Sequence, residues 1–288
     1  MISIYKKELR SYFTGLTGYV SIALILVLTG IFIRVVAFEA KYTFIQNVLP
    51  SAAIILLLAI PIVTMSSFAG ERAQKTDSLL YSLPLSTSQI VIGKYLSMMT
   101  VFAVPVAIIS LVPAILSMYG KVDWFAVYTS IGMFFLLIAA MTGICMFMSS
   151  LCESQVIAAV LGSGALIVCY FAAILTSVIP KTNTAAFISF LVLSALVGLI
   201  AYAFTKNLYV ALTVGALLMA VVSVVYMNDK SFFLEIFRRT VDLFALFDRF
   251  ATSVSSKVFD VKTAVYYLSV AIFFNVLTVQ TVERRRYN

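Results

Sequence analysis

Runs of about 20 consecutive apolar residues recur from one end of this chain to the other, and that recurrence limits its possible folds more than any other feature. Eight runs stand out, at 17–38, 48–69, 96–119, 124–151, 154–179, 185–205, 208–228 and 262–282. A helix that is apolar on every face gains nothing from water, whereas the hydrocarbon core of a bilayer, about 30 Å thick, accepts it along its whole length. Composition agrees: 62% of the residues are hydrophobic and 11% are charged, too little polar surface for a soluble protein. The expected fold is an all-α integral membrane protein, one transmembrane domain over 1–288, with eight spanning helices. The pair 185–205 and 208–228 has a very short connection at Lys206 and Asn207; without it the count is six. The first run is too long for a secretory signal and no A-x-A site follows it, so it is expected to remain as a span.

Charge gives an orientation. With both termini in the cytoplasm, the inner side carries Lys6, Lys7, Arg10, Arg72, Lys75, Lys94, Lys206, Arg284, Arg285 and Arg286. The outer side carries Arg34, Lys41, Lys121 and Lys181, and a mixed-charge stretch at 229–261. An excess of Lys and Arg near the spans marks the cytoplasmic side, so this placement is the expected one, in the plasma membrane. The net charge of +8 is divided among separate connections and forms no continuous patch, which argues against nucleic acid and for anionic lipid. The chain has no histidine, and Cys145, Cys152 and Cys169 lack metal-ligand spacing, so no metal centre or cofactor is expected.

Two polar-edged segments are amphipathic. Ile2, Tyr5, Leu9, Tyr12 and Leu16 recur at helical spacing while Lys6, Lys7 and Arg10 fall elsewhere on the wheel, the pattern of an interfacial helix on the cytoplasmic leaflet. Between 232 and 250, Phe233, Phe237, Val241, Phe244 and Phe247 form a stripe, with Glu235 spaced to pair with Arg239 and Arg238 with Asp242. This predicts an external helix lying on the membrane or on the spans.

The connection at 70–95 is too polar to span and too patterned for a slack loop. Glu71, Arg72, Lys75 and Asp77 open a helical register that carries Leu79, Leu80 and Leu83 to its end, where Pro84 stops it. Ser86 and Gln89 then have capping-box spacing and start a new helix that leads into the third span. Helix, proline break and restarted helix make a rigid knuckle that can transmit force.

At these residues the sequence resembles the cytoplasmic coupling region of ABC-2-type transporter permeases, whose pattern runs E-R-x-x-G-T-x-x-x-L-x-x-x-P-x-x-x-x-x-I-x-x-G-K. Glu71, Arg72, Thr76, Leu80, Pro84, Ile90, Gly93 and Lys94 fit it; Lys75 stands where the family usually has glycine. The opening KKELRSYFTGLTGYV is similar to the family's first amphipathic helix. The close, DVKTAVYYLSVAIFFNVLTVQTVERRR, resembles the last span of the subgroup that holds the gliding-motility and nitrous-oxide-reductase-maturation permeases. The resemblance implies a permease subunit without its own nucleotide site, and the chain contains no G-x-x-x-x-G-K-[ST] loop. It further implies two cytoplasmic ATPase subunits that bind ATP and Mg, a second permease (a copy or a relative), and export coupled to hydrolysis. Glu71, Arg72, Lys75, Thr76, Leu80 and Pro84 would be the ATPase-coupling contacts. An ion-coupled carrier and a non-transporting membrane scaffold are the competing classes. A carrier would bury charges along its path, and the spans hold almost none.

Overall fold

A computed structural model describes residues 2–35, 48–76, 86–118, 122–178, 223, 226, 235, 242–256 and 259–287. Regular structure among these residues is entirely helical. This is the expected outcome for apolar segments that must satisfy every backbone N–H and C=O within themselves. The elements used below are α1 (Ile2–Thr14), α2 (Leu16–Phe32), α3 (Val48–Ala52), α4 (Leu56–Thr64), α5 (Ala69–Ala73) and α6 (Thr87–Ile109). They continue with α7 (Val112–Leu116), α8 (Trp124–Leu151), α9 (Gln155–Val178), α10 (Leu246–Ser255) and α11 (Val261–Tyr287).

Among the described residues, five stretches are long and apolar enough to cross a membrane: Leu16–Val35, Thr87–Leu116, Trp124–Leu151, Gln155–Ala172 and Val261–Arg286. A shorter apolar helix, Val48–Thr64, joins α3 to α4 through one 3₁₀ turn. Six of the eight predicted spans thus appear as helices; the pair at 185–205 and 208–228 lies outside the described residues, apart from 223 and 226. Pro61 and Pro105 sit inside α4 and α6 without ending them. Pro113 does mark a break: it cannot donate to the Ile109 carbonyl, and α6 ends at that residue before α7 resumes the path.

The chain divides into two units, 1–169 with 246–288, and 170–245. In the second, the described part includes the end of α9, where Tyr170 and Phe171 meet edge to face at 5.8 Å. In the first, α8 is the central element, buried along most of its length. α11 packs down α8. A side chain at Gly143 would come within 3.3 Å of the Ala271 carbonyl, and Phe147 meets Phe274 at 5.8 Å nearby. Around α8 the peripheral helices turn apolar side chains outward: Val27 and Ile31 on α2, Val160 and Val168 on α9, Ile272 and Phe273 on α11. An apolar interior beneath an apolar exterior is what a lipid-solvated bundle requires.

At the end where α8 begins, Asp123 caps the helix by accepting from the Ala126 N–H (3.3 Å), and Trp124 stacks on Tyr128 at 6.2 Å. Amphipathic aromatic pairs of this kind suit a membrane–water boundary. α10 packs here against α8 and α11. Phe250 meets Phe134 at 5.8 Å, and the Tyr267 hydroxyl donates to the Leu246 carbonyl at 2.7 Å. The predicted external stripe is therefore seen in part: Phe247 is buried, Phe244 is exposed, and positions 233, 237 and 241 lie outside the described residues. Asp260 opens α11 by accepting from the Lys262 N–H (3.1 Å) and the Thr263 hydroxyl (2.6 Å), the latter chiefly holding its carboxyl below the usual range.

α1 joins α2 through a bend at Gly15 and packs on α6. Its face toward the bundle is Ile4, Glu8 and Tyr12, one helical turn apart; of the apolar stripe, Tyr12 is buried, Tyr5 and Leu9 are half-buried, and Ile2 and Leu16 are exposed. The bend is tight because a Cβ at Gly18 would fall on the Tyr12 carbonyl. Since backbone must then give way, Gly18→Ala is expected to cost about 1–3 kcal/mol, the usual range for overpacking. A lowered unfolding temperature of the purified protein in detergent, with normal membrane insertion, is the result that checks it.

Candidate functional site

The five residues of α5 sit where α1, α6, α8 and α11 converge, and each end of this short helix is tied down. At its start, the N–H groups of Phe68 and Ala69 donate to the Ser149 hydroxyl of α8, at 3.3 and 3.2 Å. At its end, the Lys75 N–H donates to the Arg72 carbonyl and the Thr76 N–H to the Glu71 carbonyl, both at 2.9 Å. This pair of bonds is the Schellman motif, which needs a left-handed residue just beyond the helix. Lys75 supplies it with φ 55°, at the position where the coupling pattern usually has glycine. The Thr76 hydroxyl adds a second bond to the Glu71 carbonyl at 3.1 Å. The helical register expected to run on through Asp77 therefore ends at Ala73.

Arg72 points into the bundle. Its Nη1 donates to the carbonyls of Ser150 (2.6 Å) and Cys152 (2.9 Å), while Arg285 near the end of α11 donates to the Leu151 carbonyl (2.8 Å). The last carbonyls of a helix lack intrahelical partners and carry its negative pole, so two guanidinium groups from distant parts of the chain cap α8 together. Arg285 also lies 3.8 Å from Glu153.

Glu71 points to a different neighbour. The Lys94 ammonium, on α6 and with its side chain 1% exposed, lies 2.9 Å from Glu71 Oε1 and 3.0 Å from Glu8 Oε1 on α1. It also donates to the Ser67 carbonyl at 2.8 Å. The ammonium thus donates to Glu8 and to Ser67 and pairs ionically with Glu71. The Phe68 ring lies 5.2 Å away on another side. The exposed Lys7 ammonium lies 3.4 Å from Glu71 and 3.8 Å from Glu8. The four side chains form a closed ring of alternating sign, Lys7, Glu8, Lys94 and Glu71, drawn from α1, α5 and α6. Deleting one partner of a buried pair strands the other charge, at a cost of about 3–5 kcal/mol.

Of the sequence-predicted coupling residues, Glu71 and Arg72 thus face inward and are engaged within the chain, while Lys75 and Thr76 are exposed beyond α5. Leu80 and Pro84 lie outside the described residues. The restarted helix begins as expected, with the Ser86 hydroxyl accepting from the Gln89 N–H at 3.4 Å. Lys6, Lys7 and Arg10 are exposed on α1, opposite its buried face. Sequence reasoning missed Glu8 and the burial of Lys94, although a signal existed. Glu8 falls one turn from both Ile4 and Tyr12, and Lys94 one turn from both Ile90 and Met98. A lone charge inside an apolar stripe needs a partner. Ser149 and Arg285 left no comparable trace, because their partners are backbone atoms.

A family model described as "ABC-2 family transporter protein" matches residues 31–207, more than half of the chain. The chain belongs to the ABC-2 transporter family. This ABC-2 protein is a multi-pass helical membrane protein with the role of a transporter permease. The matched stretch contains α5, Lys94 and Ser149, whereas α1, α10 and α11 fall outside it. No curated protein and no solved structure matches the chain.

The left-handed Lys75 yields a prediction for the end of α5. A side chain pays roughly 1–2 kcal/mol in that conformation and glycine does not. Lys75→Gly is expected to stabilise the end of α5 by about 1 kcal/mol, read as a roughly fivefold slowing of Thr76 amide hydrogen exchange; Lys75→Val is expected to speed it.

Proposed function

We propose that this ABC-2 protein is the permease subunit of an exporter driven by ATP hydrolysis in a separate cytoplasmic ATPase. Two ATPase subunits and a second permease complete the assembly in the plasma membrane. ATP and Mg bind to the ATPase, since this chain has no phosphate-binding loop. Both termini and α5 face the cytoplasm, as the positive-inside rule favours: Lys6, Lys7 and Arg10 on α1, Lys75, and Arg284 to Arg286 on α11 gather at the α5 end.

The observation that carries the reading is the anchoring of α5. A segment that receives mechanical work must be stiff at its base and open at its tip. Glu71 and Arg72 bind the base to α1, α6 and α8, while 73–76 stay exposed. In this division of labour Lys75, Thr76, Leu80 and Pro84 meet the ATPase, and Glu71 and Arg72 pass its motion inward. Closure of the ATPase pair then switches the permease between access states. The C-terminal resemblance favours the gliding-motility and nitrous-oxide-reductase-maturation subgroup.

Co-expression with a candidate soluble ATPase that carries a phosphate-binding loop tests this function. The permease is expected to co-purify with it and to alter its rate of ATP hydrolysis. Arg72→Ala removes charge-assisted bonds worth roughly 1.5–3 kcal/mol, so the permease's effect on hydrolysis is expected to fall about tenfold or more while insertion persists. A fully active permease with no ATPase present would contradict the assignment.

A further inference from the structure

The geometry points to Lys94 as a positioning residue that locks the opening helix, the coupling segment and the third span into one rigid unit, so that work delivered to α5 moves all three together. This inference rests on the coupling function proposed above and goes beyond it, because it assigns the transmission to an ionic joint whose far side, on α1, lies outside the stretch matched to the family.

Three observations carry it. First, the joint is the meeting point of three separate elements. Glu8 comes from α1, Glu71 from α5 and Lys94 from α6, and sequence separations of 86 and 64 residues are closed by the Lys94–Glu8 and Lys7–Glu71 contacts. Second, it is a closed ring. The Lys94 ammonium donates to Glu8 and to the Ser67 carbonyl and lies 2.9 Å from Glu71, and Lys7 balances the second carboxylate. Third, neighbouring hydrogen bonds tie α1 to α6 and to α4. The Tyr5 hydroxyl lies 3.0 Å from the Thr100 hydroxyl, which ties α1 to α6 a turn and a half beyond Lys94, and Tyr12 reaches the Val63 carbonyl at 3.4 Å. Sliding any one element along another would strand a buried charge, a cost that displaced apolar contacts do not carry. Apolar contacts alone would let α1 slide along α6 when α5 is pushed.

The test uses the full permease bound to its ATPase in lipid nanodiscs, with nitroxide labels at Ser3→Cys on α1 and Gln74→Cys beyond α5, both exposed positions. Distances are measured by pulsed electron paramagnetic resonance without nucleotide and with ATP plus a hydrolysis-deficient ATPase. The intact joint should give one narrow distance, the same in both states. Lys94→Met should give a distance that shifts on ATP binding, together with loss of the permease's effect on hydrolysis, while the ATPase stays bound. Where Lys94→Met does not yield folded protein, the uncharged triple variant Glu8→Gln, Glu71→Gln, Lys94→Met replaces it, with the same expectation. A distance that ignores ATP in the variant, or merely broadens equally in both states, would overturn the inference and leave the coupling function standing. An unsubstituted permease whose Ser3–Gln74 distance itself changes with ATP would overturn it as well. Failure of the unsubstituted permease to hold the ATPase would instead remove the coupling function.

Discussion

An ammonium group buried among apolar helices persists only where it finds hydrogen-bond acceptors and its charge finds a counterion. Lys94 meets both demands at the end of this bundle, through Glu8, Glu71 and the Ser67 carbonyl. The arrangement of that end follows from the same need. α1 must lie against α6 for Glu8 to reach Lys94, and the chain must turn at 65–68 for Ser67 to offer its carbonyl. α5 must in turn place Glu71 on the opposite side. Once these are set, Arg72 is carried to the open carbonyls of α8 and Ser149 to the open N–H groups of α5. Ionic and helix-end demands are met by the same five-residue helix, which explains how so short a segment can be stiff.

The rest of the bundle answers to a simpler constraint. Lipid offers no hydrogen bonds, so apolar segments become helices, and only helix contacts choose among arrangements. This is why the spans were legible from the residues alone. The run at 124–151 coincides with α8, and that at 154–179 with α9 to within a residue. It is also why the packing was not legible: in a sequence apolar on all faces, nothing distinguishes buried α8 from lipid-facing α11. The close approach at Gly143 is a three-dimensional fact without periodic trace, whereas the inward face of α10 continues the stripe that includes Phe247.

In the connection at 70–95, legibility was mixed. The pattern from Glu71 to Lys94 located the segment and its restart at Ser86. It suggested that charged residues there look outward to a partner, because a run of charges beside a span ordinarily meets solvent. The structure turns Glu71 and Arg72 inward, since a buried ammonium and a helix's carbonyl end are stronger attractors than water for side chains already at the membrane boundary. Lys75 departs from the pattern yet keeps the backbone that glycine would adopt, so the motif encodes a conformation, the left-handed end of α5, as much as a chemistry.

The central claim is that the α5 end faces the cytosol and receives work there, and labelling decides it most directly. Lys75→Cys is expected to be an exposed thiol, whereas Cys145, Cys152 and Cys169 are buried and give little background. A membrane-impermeant maleimide should modify this cysteine in inside-out vesicles and leave it untouched in right-side-out ones. Modification from the outside would place the coupling segment away from any ATPase and contradict the account.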